Sequence, residues 1–378
     1  MLLLRSAADW DMDDSDEADD TDDPGGLDEA DETGQTGASN RADETGRTGD
    51  SDDPDGADET EGLTYAETGV DIEAGEAATA ALVGAVGEFE GDYAGLVEVG
   101  DRYLALATDG VGTKLLVAEA LDDYSTVGID CLAMNVNDLV AAGVTPVAFV
   151  DYLAVETPDD ATAEAVGEGL STGADRAGVE LVGGETAVMP EVIRGLDLAG
   201  ACVGLATETE LFDGTAREGD VLVGLPSSGI HSNGLTLARE AVTRNFDYTD
   251  PFPYDDRTVG EVLLEPTRIY REVLEPLHAV ETHAAAHVTG GGWTNLSRMG
   301  AFRYVVDDPF APQPVFAFVQ EEGDVDDEEM HRTFNMGTGF VAALPEADAG
   351  AVVGALDDAR VVGRVEAGDA VAVRGLEL

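Results

Sequence analysis

The sequence predicts a mixed α/β, α+β-type fold in two domains, and three observations point to it. From residue 63 onward, short apolar runs alternate with helical stretches, and glycines punctuate the joins. A run rich in Thr, Glu, Asp and Gly over residues 207–219 interrupts that alternation midway. The length of 378 residues also suits two domains of ordinary size, each with its own core. The expected organisation is a disordered acidic tail over residues 1–62, a first α/β domain over 63–207 and a second over 208–378.

Taken in order, residues 96–99 and 103–107 flank a Gly100-Asp101 turn and are expected to form a hairpin delivering the chain to Asp109. Residues 126–142 are apolar almost all round and stop at Gly143, which predicts a buried helix. A strand over 144–155, an amphipathic helix over 158–177, a strand over 179–182 ending at Gly183-Gly184 and a strand over 196–205 complete the first half. In the second half, strands are expected over 221–225, 283–288, 315–319, 339–344 and 361–365, and helices over 235–244, 266–280 and 345–357.

Charge narrows the function classes. Eighty acidic against 19 basic residues give a net charge of -61, and 18 of the 19 are arginine. The tail, with its Ala-Asp-Glu-Thr repeats beginning at residues 30, 42 and 57, carries 23 acidic and 3 basic residues, which leaves -41 on 63–378. Self-repulsion of that size requires strong screening, so a cytoplasm of very high salt is expected. Nucleic acid and anionic membrane surfaces are excluded as partners on the same ground. No apolar stretch reaches the roughly 18 residues of a membrane span, and residues 1–4 are too short for a signal-peptide core. Cys131 and Cys202 form no CxxC pair, so neither a disulfide framework nor a thiolate zinc site is indicated.

The single lysine, Lys114, closes the glycine turn TDGVGTK that starts at Thr108. An ammonium is a compact point charge suited to phosphate oxygens, and Gly110, Gly112 and Thr113 let backbone N–H groups approach an anion, while Asp109 can hold its magnesium. Asp130, Asn135, Asn137 and Asp138 lie within the apolar helix, where burial without partners is costly, so the Asn137-Asp138 pair is expected in a cleft. Gly183, Gly184, Glu185 and Thr186 follow a strand, where α/β sheets collect ligand groups. SSGIHSNG from Ser227 offers Ser227, Ser228, His231 and Asn233 between a strand and a helix, with His231 as an acid-base or anion-contacting candidate. Gly290, Gly291 and Gly292 form a candidate anion nest, and His331 and Arg332 have a solvated helix end as a competing explanation. No Ser/His/Asp or Cys/His nucleophile arrangement is legible.

In order along the chain, TYAETGVDI from Thr64, TDGVGTK from Thr108, GIDCLAMNVNDL from Gly128, LVGGETAVMP from Leu181, SSGIHSNG from Ser227, PTRIY from Pro266, HVTGGG from His287 and MHRTFNMGTG from Met330 resemble the phosphoribosylformylglycinamidine cyclo-ligase (aminoimidazole ribonucleotide synthetase) family, in a haloarchaeal-like form. The resemblance spans residues 63–378. It implies ATP-dependent closure of an imidazole ring in purine biosynthesis: ATP phosphorylates the formamide oxygen of formylglycinamidine ribonucleotide, the amidine nitrogen attacks, and phosphate leaves. By the same resemblance Asp109, Asp138 and Glu185 handle magnesium, and Asp109, Asp138 and His231 act in catalysis. Gly110, Gly112, Thr113, Lys114, Asn137, Gly183, Gly184 and Thr186 would contact ATP, and Ser227, Ser228, Asn233 and Gly290 to Gly292 the substrate. It further implies a cytoplasmic homodimer in which strands of the two N-terminal domains join in a barrel. The chain departs from the family pattern in its short glycine-rich stretch over residues 82–93, with Val83 where a lysine is usual. Val188, Glu191 and the Trp293-Thr-Asn295 turn also depart from it. A thiamine-phosphate kinase would show a different aspartate cluster, and an acidic chaperone would not carry a buried Asn-Asp helix.

Overall fold

The computed structural model describes residues 62–70, Ala77, Ala78, Ala81 and 94–378, all within a compact unit that spans 59–378. The acidic tail up to residue 61 and the stretch over 82–93, including Val83, lie outside the described residues.

Two sheets carry the chain. In the first, β1 (Gly95–Val99) and β2 (Arg102–Gly110) form the expected hairpin, with Val99 opposite Arg102. Its strand order is β1-β2-β5-β3-β4, where β3 is Thr145–Val155, β4 Glu180–Val188 and β5 Leu196–Ala206. Strands β3 and β4 are parallel, so they need a crossover, supplied by helix Asp160–Ala177 with Asp159 as its N-cap. The second sheet contains β6 (Val221–Pro226), β7 (Ala284–His287), β8 (Arg303–Val306), β9 (Thr338–Leu344), β10 (Arg360–Glu366), β11 (Ala370–Val373) and β12 (Leu376–Glu377). Their spatial order is β12-β11-β8-β10-β6-β9-β7.

Following a 3-10 turn at Gly112–Lys114, the helices are α1 (Leu115–Leu121), α2 (Val127–Ala141), α3 (Asp160–Ala177), α4 (Leu235–Val242), α5 (Val259–Leu263), α6 (Leu274–His278), α7 (Pro314–Gly323), α8 (Asp327–Thr333) and α9 (Glu346–Ala355). Helix α2 is the axis of the molecule. Fourteen of its fifteen residues are buried, and Asp138 is the exception. One side lies under β2 and β5, another against β7, and α3 covers a third. That crowding dictates Gly128, because a Cβ there would come within 2.5 Å of backbone atoms of Val166 and Leu170 on α3.

Three expected elements are corrected. Residues 315–319 belong to helix α7 rather than a strand: Pro314 occupies the first turn, and Val315, Phe316, Phe318 and Val319 are buried at helical spacing. The helix expected over 266–280 shrinks to a 3-10 turn at Arg271–Val273 followed by α6, because the backbone of residues 267–270 is instead tied to side chains of α2. Strand β4 does not end at Gly183-Gly184 but continues to Val188, paired with β3 on both sides of an irregularity at Val182.

Candidate active site

Strand β2 ends on Asp109 and Gly110, where the chain turns into α1. Asp109 accepts a hydrogen bond from its neighbour's N–H, Gly110, at 2.7 Å. Burial, and then the charge of Asp138 nearby, push its carboxyl up to about 6. Asp138 projects from α2 and meets His287, the last residue of β7, with Oδ1 at 3.3 Å from Nδ1. Two carboxylates and an imidazole therefore converge from three different elements, as sequence reasoning expected for Asp109 and Asp138. Among the described residues no group of three or more His, Cys, Asp or Glu side chains forms a metal cage.

Glycine turns follow directly on Asp109 and, after two intervening residues, on His287 in the chain. Gly112 has φ +71°, left-handed and open to solvent, and Thr113 places its hydroxyl 2.9 Å from that of Thr236 in the first turn of α4. The loop preceding α4 carries Asn233, whose Oδ1 is buried without a partner and whose amide lies against Gly290. Thr289 N–H donates to Asn295 Oδ1 at 2.7 Å, which fixes the start of the triple-glycine turn. Gly292 has φ +52°, and a Cβ there would fall 2.2 Å from the His331 carbonyl oxygen, so no other residue fits. Asp109, Gly110, Gly112, Thr113, Asp138, Asn233 and Gly290 to Gly292 are thus gathered by the fold.

Several expected ligand contacts are occupied from within. Lys114 is completely buried, with Nζ 2.9 and 2.8 Å from the two carboxylate oxygens of Asp130 and 2.6 Å from the Glu265 carbonyl oxygen. Two of its donors are spent, on Asp130 Oδ1 and the Glu265 carbonyl, and a side chain with no exposed surface does not face a nucleotide. Asp130 in turn accepts from Thr267 N–H at 2.8 Å, the Thr267 hydroxyl at 2.6 Å and the Ser232 hydroxyl at 3.2 Å. The pair fastens α2 to the loop before α4 and to residues 265–267. Asn137 is likewise buried, donating to the Arg268 carbonyl at 2.8 Å and accepting from Tyr270 N–H at 2.9 Å. Its expected nucleotide contact gives way to this second fastening. Asn135 bridges the Asp109 and Cys131 carbonyls at 3.1 and 2.8 Å.

His231 is buried at φ +70°, and its Nε2 accepts from Ser228 N–H at 3.1 Å. Burial, followed by the charges of His287, Lys114 and Arg268, holds its imidazole well below the ordinary range. Through Nε2 it fastens the loop, while its Nδ1 is buried without a partner. Ser228 donates its hydroxyl to the Pro266 carbonyl at 2.6 Å, and the Ser227 carbonyl accepts from Gln313 at 2.6 Å.

Gly183, Gly184, Glu185 and Thr186 stand elsewhere, on the edge strand β4. Asp109, Gly200, Asp151 and Gly184 form one row across β2, β5, β3 and β4, which puts Gly184 about 14 Å from Asp109 at normal strand spacing. Glu185 pairs with Tyr152, one position along, and so points to the opposite face of the sheet. It cannot join Asp109 and Asp138 in one chain's metal site. Thr186 instead lines a cavity of about 350 Å³ with Tyr124, Leu153, Thr157 and Thr162.

Sequence reasoning missed His287 and Asp151. His287 opens the HVTGGG motif, but the sequence alone gives it no role there. Asp151 shares the inner face with Asp109, and its carboxyl is raised by burial. Cys131 and Cys202 are free and buried, and burial pushes the Cys202 thiol up to about 12, so both are inert thiols.

Comparison with known proteins gives a consistent result. The family model described as AIR synthase related protein, N-terminal domain, matches residues 91–206, and its C-terminal counterpart matches 217–375. The phosphoribosylformylglycinamidine cyclo-ligase of Methanosarcina acetivorans is 49% identical over 316 residues, covering 80% of this chain and 95% of that protein. The enzyme of the same name from Thermococcus kodakarensis is 47% identical over 299 residues, covering 75% and 88%. Among solved structures, tt0281 from Thermus thermophilus superposes with a TM-score of 0.58 at 21% identity, covering 82% of this chain and 99% of that one. Thiamine monophosphate kinase from Aquifex aeolicus superposes at 0.57 and 17%, covering 80% and 98%. At these identities the two structures show a shared fold.

Proposed function

The chain belongs to the AIR synthase family of phosphoribosylformylglycinamidine cyclo-ligases, and on that premise we propose that the mouth around Asp109 and Asp138 is where its reaction takes place. The reaction is the ATP-dependent cyclisation of formylglycinamidine ribonucleotide to aminoimidazole ribonucleotide, with release of ADP and phosphate, in purine biosynthesis. An amide oxygen is a poor leaving group until phosphorylated, so the site has to position two substrates and balance charge rather than supply a nucleophile.

The observation that carries this reading is that Asp138 alone breaks the burial of its helix, with its charge acting on Asp109 and its carboxylate against His287. Two carboxylates with raised mutual repulsion fit a magnesium ion that completes its shell with nucleotide phosphates, the usual pattern for that ion. Magnesium held by Asp109 and Asp138 would supply neutralisation of phosphate charge. Backbone N–H groups of Gly112, Gly290 and Gly291 cradle the anionic groups, whereas those of Gly110 and Gly292 are held by Asp109 and the Thr289 carbonyl, and the unpartnered Asn233 Oδ1 accepts from a substrate N–H. Incubation of the full chain with ATP, magnesium and formylglycinamidine ribonucleotide in molar potassium chloride should release ADP only when the ribonucleotide is present. Equal release without it would overturn the assignment.

The domain boundary near residue 207 and the homodimer belong to the same proposal. All five strands of the first sheet precede it and all seven of the second follow it. On the first sheet, the face away from α2 leaves Val97, Leu106, Val150 and Tyr152 at least 40% exposed, an apolar surface unlike the acidic exterior. A second copy covers it in the family's barrel arrangement. Leu106→Arg should convert a dimer to a monomer in light scattering at molar salt, with circular dichroism unchanged. An unaltered mass would place the interface elsewhere.

A further inference from the structure

The Tyr270 backbone N–H can only donate, and it lies 2.9 Å from Asn137 Oδ1, which fixes the orientation of that amide. Asn137 Nδ2 then has two hydrogens to place. One goes to the Arg268 carbonyl at 2.8 Å, and the other points at His287 Nε2, 3.2 Å away. Nε2 is therefore an acceptor, and the ring hydrogen must sit on Nδ1. Nδ1 faces Asp138 Oδ1 at 3.3 Å, and His287 is fully buried, so water does not compete for either nitrogen. The Tyr270 ring packs edge-on against the imidazole at 6.1 Å between centroids and holds its plane.

We propose that His287 is a positioning residue, locked as the Nδ1–H tautomer by Asn137, that donates to one oxygen of Asp138 and leaves the other free for the reacting ligands. The inference rests on the role given to Asp138 above. The relay starts at a backbone amide of the segment 267–270, so the segment that displaced the expected helix sets the direction of the reactive carboxylate. Outer hydrogen bonds of this kind typically change activity by about 10- to 100-fold when removed.

The test uses the full chain in molar potassium chloride. With histidine labelled in the ring nitrogens and no nucleotide or metal added, the His287 signal, identified by its loss in His287→Gln, should show Nδ1 protonated and Nε2 not. A proton on Nε2, or on both nitrogens, would overturn the relay. His287→Asn keeps a donor near the Nδ1 position, whereas His287→Gln moves it to the Nε2 position. We expect the Gln variant to lose about tenfold or more in kcat at a similar melting temperature, and the Asn variant to stay within about threefold of wild type. Equal losses in both would also overturn it. Asp138→Asn separates the two claims: wild-type turnover there defeats the role of Asp138, while the nitrogen spectrum still decides the tautomer.

Discussion

Asp109→Asn should yield a protein more stable than wild type and nearly without cyclo-ligase activity. The carboxyl of Asp109 is raised to about 6 by burial and by Asp138. A folded value above the unfolded value of about 4 means that the native state binds the proton more tightly, so stability falls as pH rises through that interval. At pH 7 the deprotonated group costs about 1–3 kcal/mol, which a neutral amide avoids while still accepting from Gly110 N–H. Metal-free wild type should therefore gain stability on acidification from pH 7 to 5, and the variant should gain less. Turnover should drop by at least about 10³ through loss of a charge that must meet magnesium and phosphate. Urea titrations at matched potassium chloride, in which the variant is no more stable at pH 7, would remove the electrostatic account.

Lys114→Met should cost about 3–5 kcal/mol, because it leaves Asp130 charged and dry. Asp130→Asn added to that background should restore part of the loss, since an amide oxygen can still accept from Thr267. Lys114→Arg is the finer probe. The ammonium reaches both oxygens of Asp130 and the Glu265 carbonyl within a fully buried site, and a planar guanidinium does not fit that volume. Its expected cost is about 1–3 kcal/mol of stability, from overpacking, with the KM for ATP unchanged in the protein that remains folded. Wild-type stability combined with a tenfold loss in kcat/KM for ATP would return the lysine to the phosphates.

Lys114 also shows how much of the site was legible. Its rarity marked it as a residue under constraint, but the constraint comes from Asp130, Glu265 and Thr267, the last two more than 150 positions away, and no local pattern announces such partners. Helix α2 was legible almost to the residue, because an apolar run with four polar interruptions has few other solutions, and Asp138 followed from it. Asn137, one step round the same helix, turned inward to Arg268 and Tyr270, a difference that only packing decides. The strand expected at 315–319 failed because a short run of Val and Phe carries no period of its own until Pro314 and Gly323 are weighed as helix ends. Glu185 failed because the strand did not stop, and each added residue of a strand reverses the face a side chain occupies.

The near-total burial of α2 has a consequence for how the site is lost. Loops that carry ligand groups ordinarily open by local fluctuation, well below the free energy of global unfolding. Asp138 instead rides on a helix whose backbone amides, enclosed by two sheets and α3, should exchange with solvent only when the whole unit opens. Its carboxylate and the Asn137 fastening beside it therefore share one fate with the core. As salt is withdrawn and acidic surface repulsion grows, the glycine turns can loosen gradually, but the reactive carboxylate should keep its place until amide exchange in α2 and loss of the fold arrive together.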